Sequence, residues 1–60
     1  MMKKLAPEMY KGRSLQYVQK IMPTSKGPKT WVEGKVMYTN IAAKGLTKLD
    51  VSVKLKKMLD

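Results

Sequence analysis

Few side chains in this chain have the types needed for catalysis. Its 60 residues include no His and no Cys, so the commonest general base and the thiolate nucleophile are both missing. Ser14, Ser25 and Ser52 therefore have no histidine partner to activate them. The carboxylates are widely spaced, which favours neither an acid–base pair nor a metal site; they are Glu8, Glu33, Asp50 and Asp60. The sequence predicts no enzyme activity, no cofactor, no metal and no small-molecule substrate.

The stretch PTSKGPKTW at 23–31 raises the question of a phosphate-binding loop. A P-loop requires Gly, four further residues and then Gly-Lys-Ser/Thr, so that successive N–H groups surround the phosphate. Here Pro28 separates Gly27 from Lys29 and removes one N–H donor, and Met22 occupies the position of the first glycine. The stretch is instead typical of a hairpin turn between two alternating segments. Its tip is also a candidate contact with a partner.

Positive charge is the strongest signal in the composition. Thirteen Lys and Arg against four Asp and Glu give a formal net charge of +9, which attracts polyanions. Arg13 is the only arginine, and lysine is better suited to neutralising phosphates than to reading bases. The predicted contact residues for nucleic acid or another partner are Arg13, Lys20, Lys26, Lys29, Trp31, Lys35, Lys54, Lys56 and Lys57.

The aromatic residues have two possible roles. A chain with four aromatics and no Phe needs most of them for its core, and we expect Tyr17 and Tyr38 to be buried. Trp31 lies on the opposite strand face from Val32 and Val36. It is therefore the better candidate for a partner contact, including stacking on a base.

Two central segments have the period-two alternation of half-buried strands. Residues 13–22 form the first, which we expect Pro23 to end because proline removes a ladder donor. Residues 30–39 form the second, where Gly34 indicates a bulge or a close backbone approach. The stretch 40–45 is predicted to be a connection.

The C-terminal segment fits two structures. Leu49, Val51, Val53 and Leu55 alternate with polar residues, as in a strand. A capping box beginning at Thr47 instead favours a helix, which would leave Leu49 and Val53 among charged residues. The strand uses all four apolar positions, so we favour a strand over 48–55.

These patterns predict an all-β fold with a sheet of about three antiparallel strands, open or partly closed; the alternative is α+β with a C-terminal helix. Residues 1–12 are predicted to be a basic N-terminal arm, with one helical turn at 7–10. Residues 13–60 would then form a single small β-dominated domain. The core is expected to be small and rich in Met.

The favoured function is a small, basic, sequence-tolerant nucleic-acid-binding accessory protein that contacts the phosphate backbone through lysines, with DNA slightly favoured over RNA. The alternative is a non-enzymatic structural or interaction subunit, such as a virion or assembly component or an inhibitor that docks on an acidic protein surface. A homo-oligomer is a further option. Pro7 and Glu8 interrupt the apolar run expected of a signal peptide, and no apolar run is long enough to span a membrane. A cytoplasmic or assembly-packaged protein is expected.

Overall fold

The computed structural model describes residues 2–60, which form an open antiparallel sheet with one helix against it. Along the chain the elements are β1 (Met2–Lys4), β2 (Glu8–Tyr10), β3 (Arg13–Thr24), β4 (Gly27–Val36), β5 (Ala42–Gly45) and α1 (Lys48–Leu59). The protein is mainly β, as predicted. The sheet has five strands rather than about three, and the C-terminal segment is the helix of the alternative interpretation.

A long hairpin of β3 and β4 is the centre of the sheet. The two strands pair from Leu15–Val36 to Thr24–Gly27, with a two-residue turn between them. This confirms that the stretch 23–31 is a hairpin tip, because a short turn allows antiparallel pairing to begin at once.

Pro23 does not end the first strand, contrary to expectation. It lies in β3 opposite Pro28 of β4, beyond the positions that β1 and β5 reach. Both prolines are therefore in a two-stranded ribbon with exposed edges, where a missing N–H on an outer edge removes no ladder bond.

The N-terminal segment forms one edge of the sheet. Both β1 and β2 pair with β3, opposite residues 18–20 and 13–15 respectively. Between them the Leu5 N–H donates to the Tyr17 carbonyl oxygen at 3.1 Å. The helical turn predicted at 7–10 is wrong, because Glu8–Tyr10 is strand β2.

The opposite edge of the sheet is β5, where the sequence predicted only a connection. Ala42–Gly45 pairs with residues 32–35 of β4. None of its residues is a strong strand former, so the pairing with β4 decides its conformation.

Helix α1 packs on one face of the sheet and encloses the core. Its first turn is capped by Thr47, whose side chain accepts a hydrogen bond from the Asp50 N–H at 3.1 Å. The buried hydrophobic side chains come from β3, β4 and α1; they are Leu15, Tyr17, Val32, Val36, Val51 and Leu55. Gly34 allows the helix to approach, since a Cβ there would lie 2.6 Å from Val51 Cγ1. This confirms the expected close backbone approach.

Of the two tyrosines that were expected in the core, only one is buried. Tyr17 is buried, as predicted, whereas Tyr38 is 98% exposed. Strand β4 ends at Val36, and Tyr38 lies in the following connection with a φ of 62°. Its side chain is therefore outside the alternation that the sequence pattern assumed.

Candidate functional site

The sheet has a second face, opposite α1, which we call the open face. Successive side chains of a strand point to opposite faces, so the neighbours of the core residues Tyr17 and Val32 point away from the helix. The strand register places these side chains on the open face: Met2 and Lys4 of β1; Met9 of β2; Ser14, Gln16, Val18, Lys20, Met22 and Thr24 of β3; Lys29, Trp31, Glu33 and Lys35 of β4; and Ala42 and Lys44 of β5.

In the described part of the chain, the open face carries five lysines and a single carboxylate, Glu33. The other carboxylates lie on the helix side of the sheet, and each makes an ion pair there. Those pairs are Lys11–Asp60 at 2.5 Å, Lys54–Asp50 at 3.4 Å and Lys56–Glu8 at 3.2 Å. Within residues 2–60, most of the negative charge is thus kept away from the open face.

Glu33 holds two side chains at the centre of the open face. Its Oε2 accepts a hydrogen bond from Trp31 Nε1 at 2.7 Å and lies 3.2 Å from Lys20 Nζ. The Trp31 hydrogen bond, followed by that of Lys20, holds the pKa of Glu33 below its ordinary value. Glu33 and Lys20 thus form an ion pair between β4 and β3. We call these three residues the Trp31 cluster.

Two shallow grooves flank the Trp31 cluster. One, of about 560 Å³, crosses the sheet between β1 and β5 and is lined by Val18, Glu33 and Lys44, among others. The second, of about 490 Å³, lies beside Trp31, is also lined by Lys44 and reaches Asp50 and Lys54 of α1. The grooves adjoin at Lys44, so an extended ligand can follow both.

The structure brings together some of the predicted contact residues. Lys20, Lys29, Trp31 and Lys35 share the open face, and Lys26 lies in the turn at the hairpin tip. Two further lysines of this face, Lys4 and Lys44, were not among the predicted contact residues. The period-two alternation of side chains places Lys4 and Lys44 on this face only if β1 and β5 are strands, which the sequence did not indicate.

The remaining predicted residues lie elsewhere. Lys54, Lys56 and Lys57 belong to α1, on the opposite side of the sheet, and Lys54 Nζ donates to the Lys44 carbonyl oxygen at 3.0 Å. Arg13 is at the start of β3, and its position relative to Leu15 places it on the helix side. Arg13, Lys56 and Lys57 are therefore separate from the open face, whereas Lys54 lines the second groove beside Trp31.

Glu8 joins the N-terminal edge of the sheet to the helix. Its Oε1 accepts hydrogen bonds from Ser52 Oγ at 2.8 Å and Tyr17 Oη at 2.9 Å, and its Oε2 accepts one from Lys56 Nζ at 3.2 Å. These donors, Ser52 first, hold the pKa of Glu8 below its ordinary value. Because Glu8 accepts from all three, it acts as a structural anion.

The described part of the chain has no group of three or more acidic side chains that could hold a metal ion. Among residues 2–60 no helix has the length and apolar character needed to cross a membrane. Comparison of the sequence and fold with protein-family models, curated proteins and solved structures finds no match.

Proposed function

We propose that this protein binds nucleic acid with little sequence preference, through phosphate contacts made by the open face. The observation that carries the proposal is the grouping of five lysines with one carboxylate on a sheet surface that α1 leaves uncovered. A surface of this kind neutralises phosphates and releases their counterions, which favours binding without base recognition.

The spacing of the lysines suits a polyanion of repeating charge. Lys29 and Lys35 lie six residues apart on β4, a distance of about 20 Å at 3.3 Å per residue. One strand of a duplex presents about six phosphates over that length. Lys4 and Lys44 widen the charged surface to both edge strands, and Lys26 extends it to the hairpin tip.

The side-chain types on the open face support tolerance of sequence. Of the side chains that the structure describes on this face, none is an arginine, the residue that most often reads guanine with two parallel hydrogen bonds. Gln16 is its only amide side chain. Lysine contributes a mobile point charge, so the binding energy is expected to depend on salt more than on base sequence.

The test is a titration of labelled DNA and RNA oligonucleotides at several salt concentrations, followed by fluorescence anisotropy. Lys35→Ala and Lys44→Ala should each reduce the slope of log K against log salt by about one. Lys57→Ala is the matched control, because Lys57 lies on α1 and the substitution removes the same charge. Equal effects of all three variants would refute the assignment of the open face, and absence of salt-dependent binding would refute the function.

A protein partner is the second candidate, and exposed apolar residues favour it. Leu46 and Leu49 are 80% and 75% exposed, and Val53, one helical turn after Leu49, is 51% exposed. Exposed apolar side chains are a common feature of docking surfaces when they adjoin one another. If the protein fails to bind polyanions at low salt, Leu49→Asp should abolish self-association or partner binding, as measured by light scattering.

A further inference from the structure

We infer that the open face binds single-stranded nucleic acid, with one base stacked on Trp31, and that Glu33 positions the indole for that stacking. The inference rests on the proposed function and identifies the ligand form of the same site. It is carried by the geometry of the Trp31 cluster and by the width of the sheet.

Trp31 is held in place before any ligand binds. Its Nε1–H donates to Glu33, two residues along the same strand face, at 2.7 Å. Lys20, directly opposite Trp31 in the register, fixes the same carboxylate from the neighbouring strand. An aromatic ring that is already oriented loses little conformational freedom on binding, which favours its use as a stacking surface.

Among residues 2–60, Trp31 is also the only aromatic side chain that the register places on the open face. Tyr10 and Tyr17 lie on the helix side, where each bonds a carboxylate. Tyr38 lies outside the strands. A single stacked base, with phosphates on the surrounding lysines, is therefore the arrangement this surface offers.

The width of the four-stranded part of the sheet, around Glu33, favours a single strand over a duplex there. At the level of Glu33 four strands lie side by side, since Glu33 is opposite Val18 and Lys44, and Val18 is opposite Lys4. Their outer axes are about 14 Å apart at 4.8 Å per strand, more than the major-groove width of about 12 Å. Unpaired bases can instead lie on a flat sheet and stack on its aromatic residues.

The two grooves provide room for the neighbours of the stacked base. Their volumes of about 560 Å³ and 490 Å³ lie in the range of about 300–1,000 Å³ usual for small-molecule pockets. They lie on either side of the Trp31 cluster and share Lys44, so a strand can pass from one to the other. The second groove also reaches Asp50 of α1, where Lys54 pairs with the carboxylate.

The first experiment compares a twelve-nucleotide oligothymidine with a blunt duplex of the same length at low salt. Trp31 is the only tryptophan, so quenching of its emission reports stacking directly. We expect tighter binding of the single strand, with quenching. Trp31→Ala should weaken single-strand binding roughly 5- to 150-fold. Trp31→Phe, followed with a labelled strand, should retain most of the affinity, and Tyr38→Ala, which removes an exposed aromatic outside the face, should have no effect.

The second experiment separates positioning by Glu33 from simple charge repulsion. Glu33→Gln and Glu33→Ala both remove one negative charge, but only the glutamine side chain keeps an oxygen that can accept the Trp31 hydrogen bond. Glu33→Gln should therefore bind the single strand more tightly than Glu33→Ala and keep the quenching. Equal affinity and quenching in the two variants would overturn the positioning role.

The outcomes distinguish this inference from the proposed function. Equal, salt-dependent binding of duplex and single strand, unchanged in Trp31→Ala, would overturn the inference and leave the proposed function standing. Absence of salt-dependent binding to either oligonucleotide would overturn both.

Discussion

The substitution Gly34→Ala tests how closely α1 approaches the sheet. A Cβ at this position would lie 2.6 Å from Val51 Cγ1, 3.0 Å from Leu55 Cδ1 and 3.1 Å from Tyr17 Cδ1. All three neighbours are buried, so none can turn into solvent to relieve the contact. Gly34→Ala therefore requires the helix to shift away from β4.

The expected cost follows from these contacts. Ordinary carbon–carbon contacts are about 3.5–4.0 Å, so the new methyl group is too close to three side chains at once. Overpacking of this kind costs about 1–3 kcal/mol, and the lower entropy of the unfolded chain returns about 0.4–1 kcal/mol. We expect a net destabilisation of about 1–2.5 kcal/mol, taking the upper part of the overpacking range. For a domain of this size the melting temperature should fall by about 4–20 °C.

Gly45→Ala is the matched control for this prediction. A Cβ at Gly45 would meet the carboxylate of Asp50, an exposed side chain that can rotate away at little cost. Its effect on the free energy of unfolding should be within about 0.5 kcal/mol. Urea denaturation followed by circular dichroism compares the two variants. If Gly34→Ala were as stable as Gly45→Ala, the close packing of α1 on β4 would be refuted.

Two further predictions concern the contacts that hold the helix. The hydrogen bond from Ser52, followed by those from Tyr17 and Lys56, lowers the pKa of Glu8 in the folded state. The stability that Glu8 contributes is therefore complete above its ordinary pKa of 4.5. This stability is lost as the pH falls through the lower pKa of the folded state. Glu8→Gln should therefore be less stable at pH 7 and lose less stability on acidification, in urea midpoints measured from pH 7 to 2; an acid dependence like that of the unmodified protein would contradict this. Thr47→Ala removes the acceptor for the Asp50 N–H and should cost about 1 kcal/mol in the same assay, whereas an unchanged midpoint would show that the cap contributes nothing.

The central hairpin was predictable from the sequence because its signals are local. Period-two alternation and a cluster of turn residues lie within one continuous segment, 13–39. The same alternation placed Trp31 on the face opposite Val32. The predicted end at Pro23 was wrong because a proline on the free edge of a ribbon interrupts no pairing.

The residues of the C-terminal segment did not by themselves decide between a strand and a helix. The alternation of Leu49, Val51, Val53 and Leu55 suits a strand, yet only Val51 and Leu55 are buried, while Leu49 is 75% exposed. The Val51 and Leu55 side chains occupy the space above Gly34. Tertiary packing therefore outweighed a local pattern that fitted both structures about equally well.

The three short strands could not be predicted from the sequence pattern. The strands β1, β2 and β5 have three or four residues each, too few to show a period. Each is a strand because it pairs with β3 or β4, and such pairings join segments distant in the chain.

By itself the sequence determined the charge of +9, the absence of His and Cys, and the hairpin that carries Trp31. Only the tertiary structure decided which lysines share a surface. Lys4 and Lys44 join the open face, whereas Lys54 and Lys56 lie with α1 on the other side. The physical reason is that side-chain direction within a strand is a local property, but the identity of neighbouring strands and the face that a helix covers depend on contacts between distant parts of the chain.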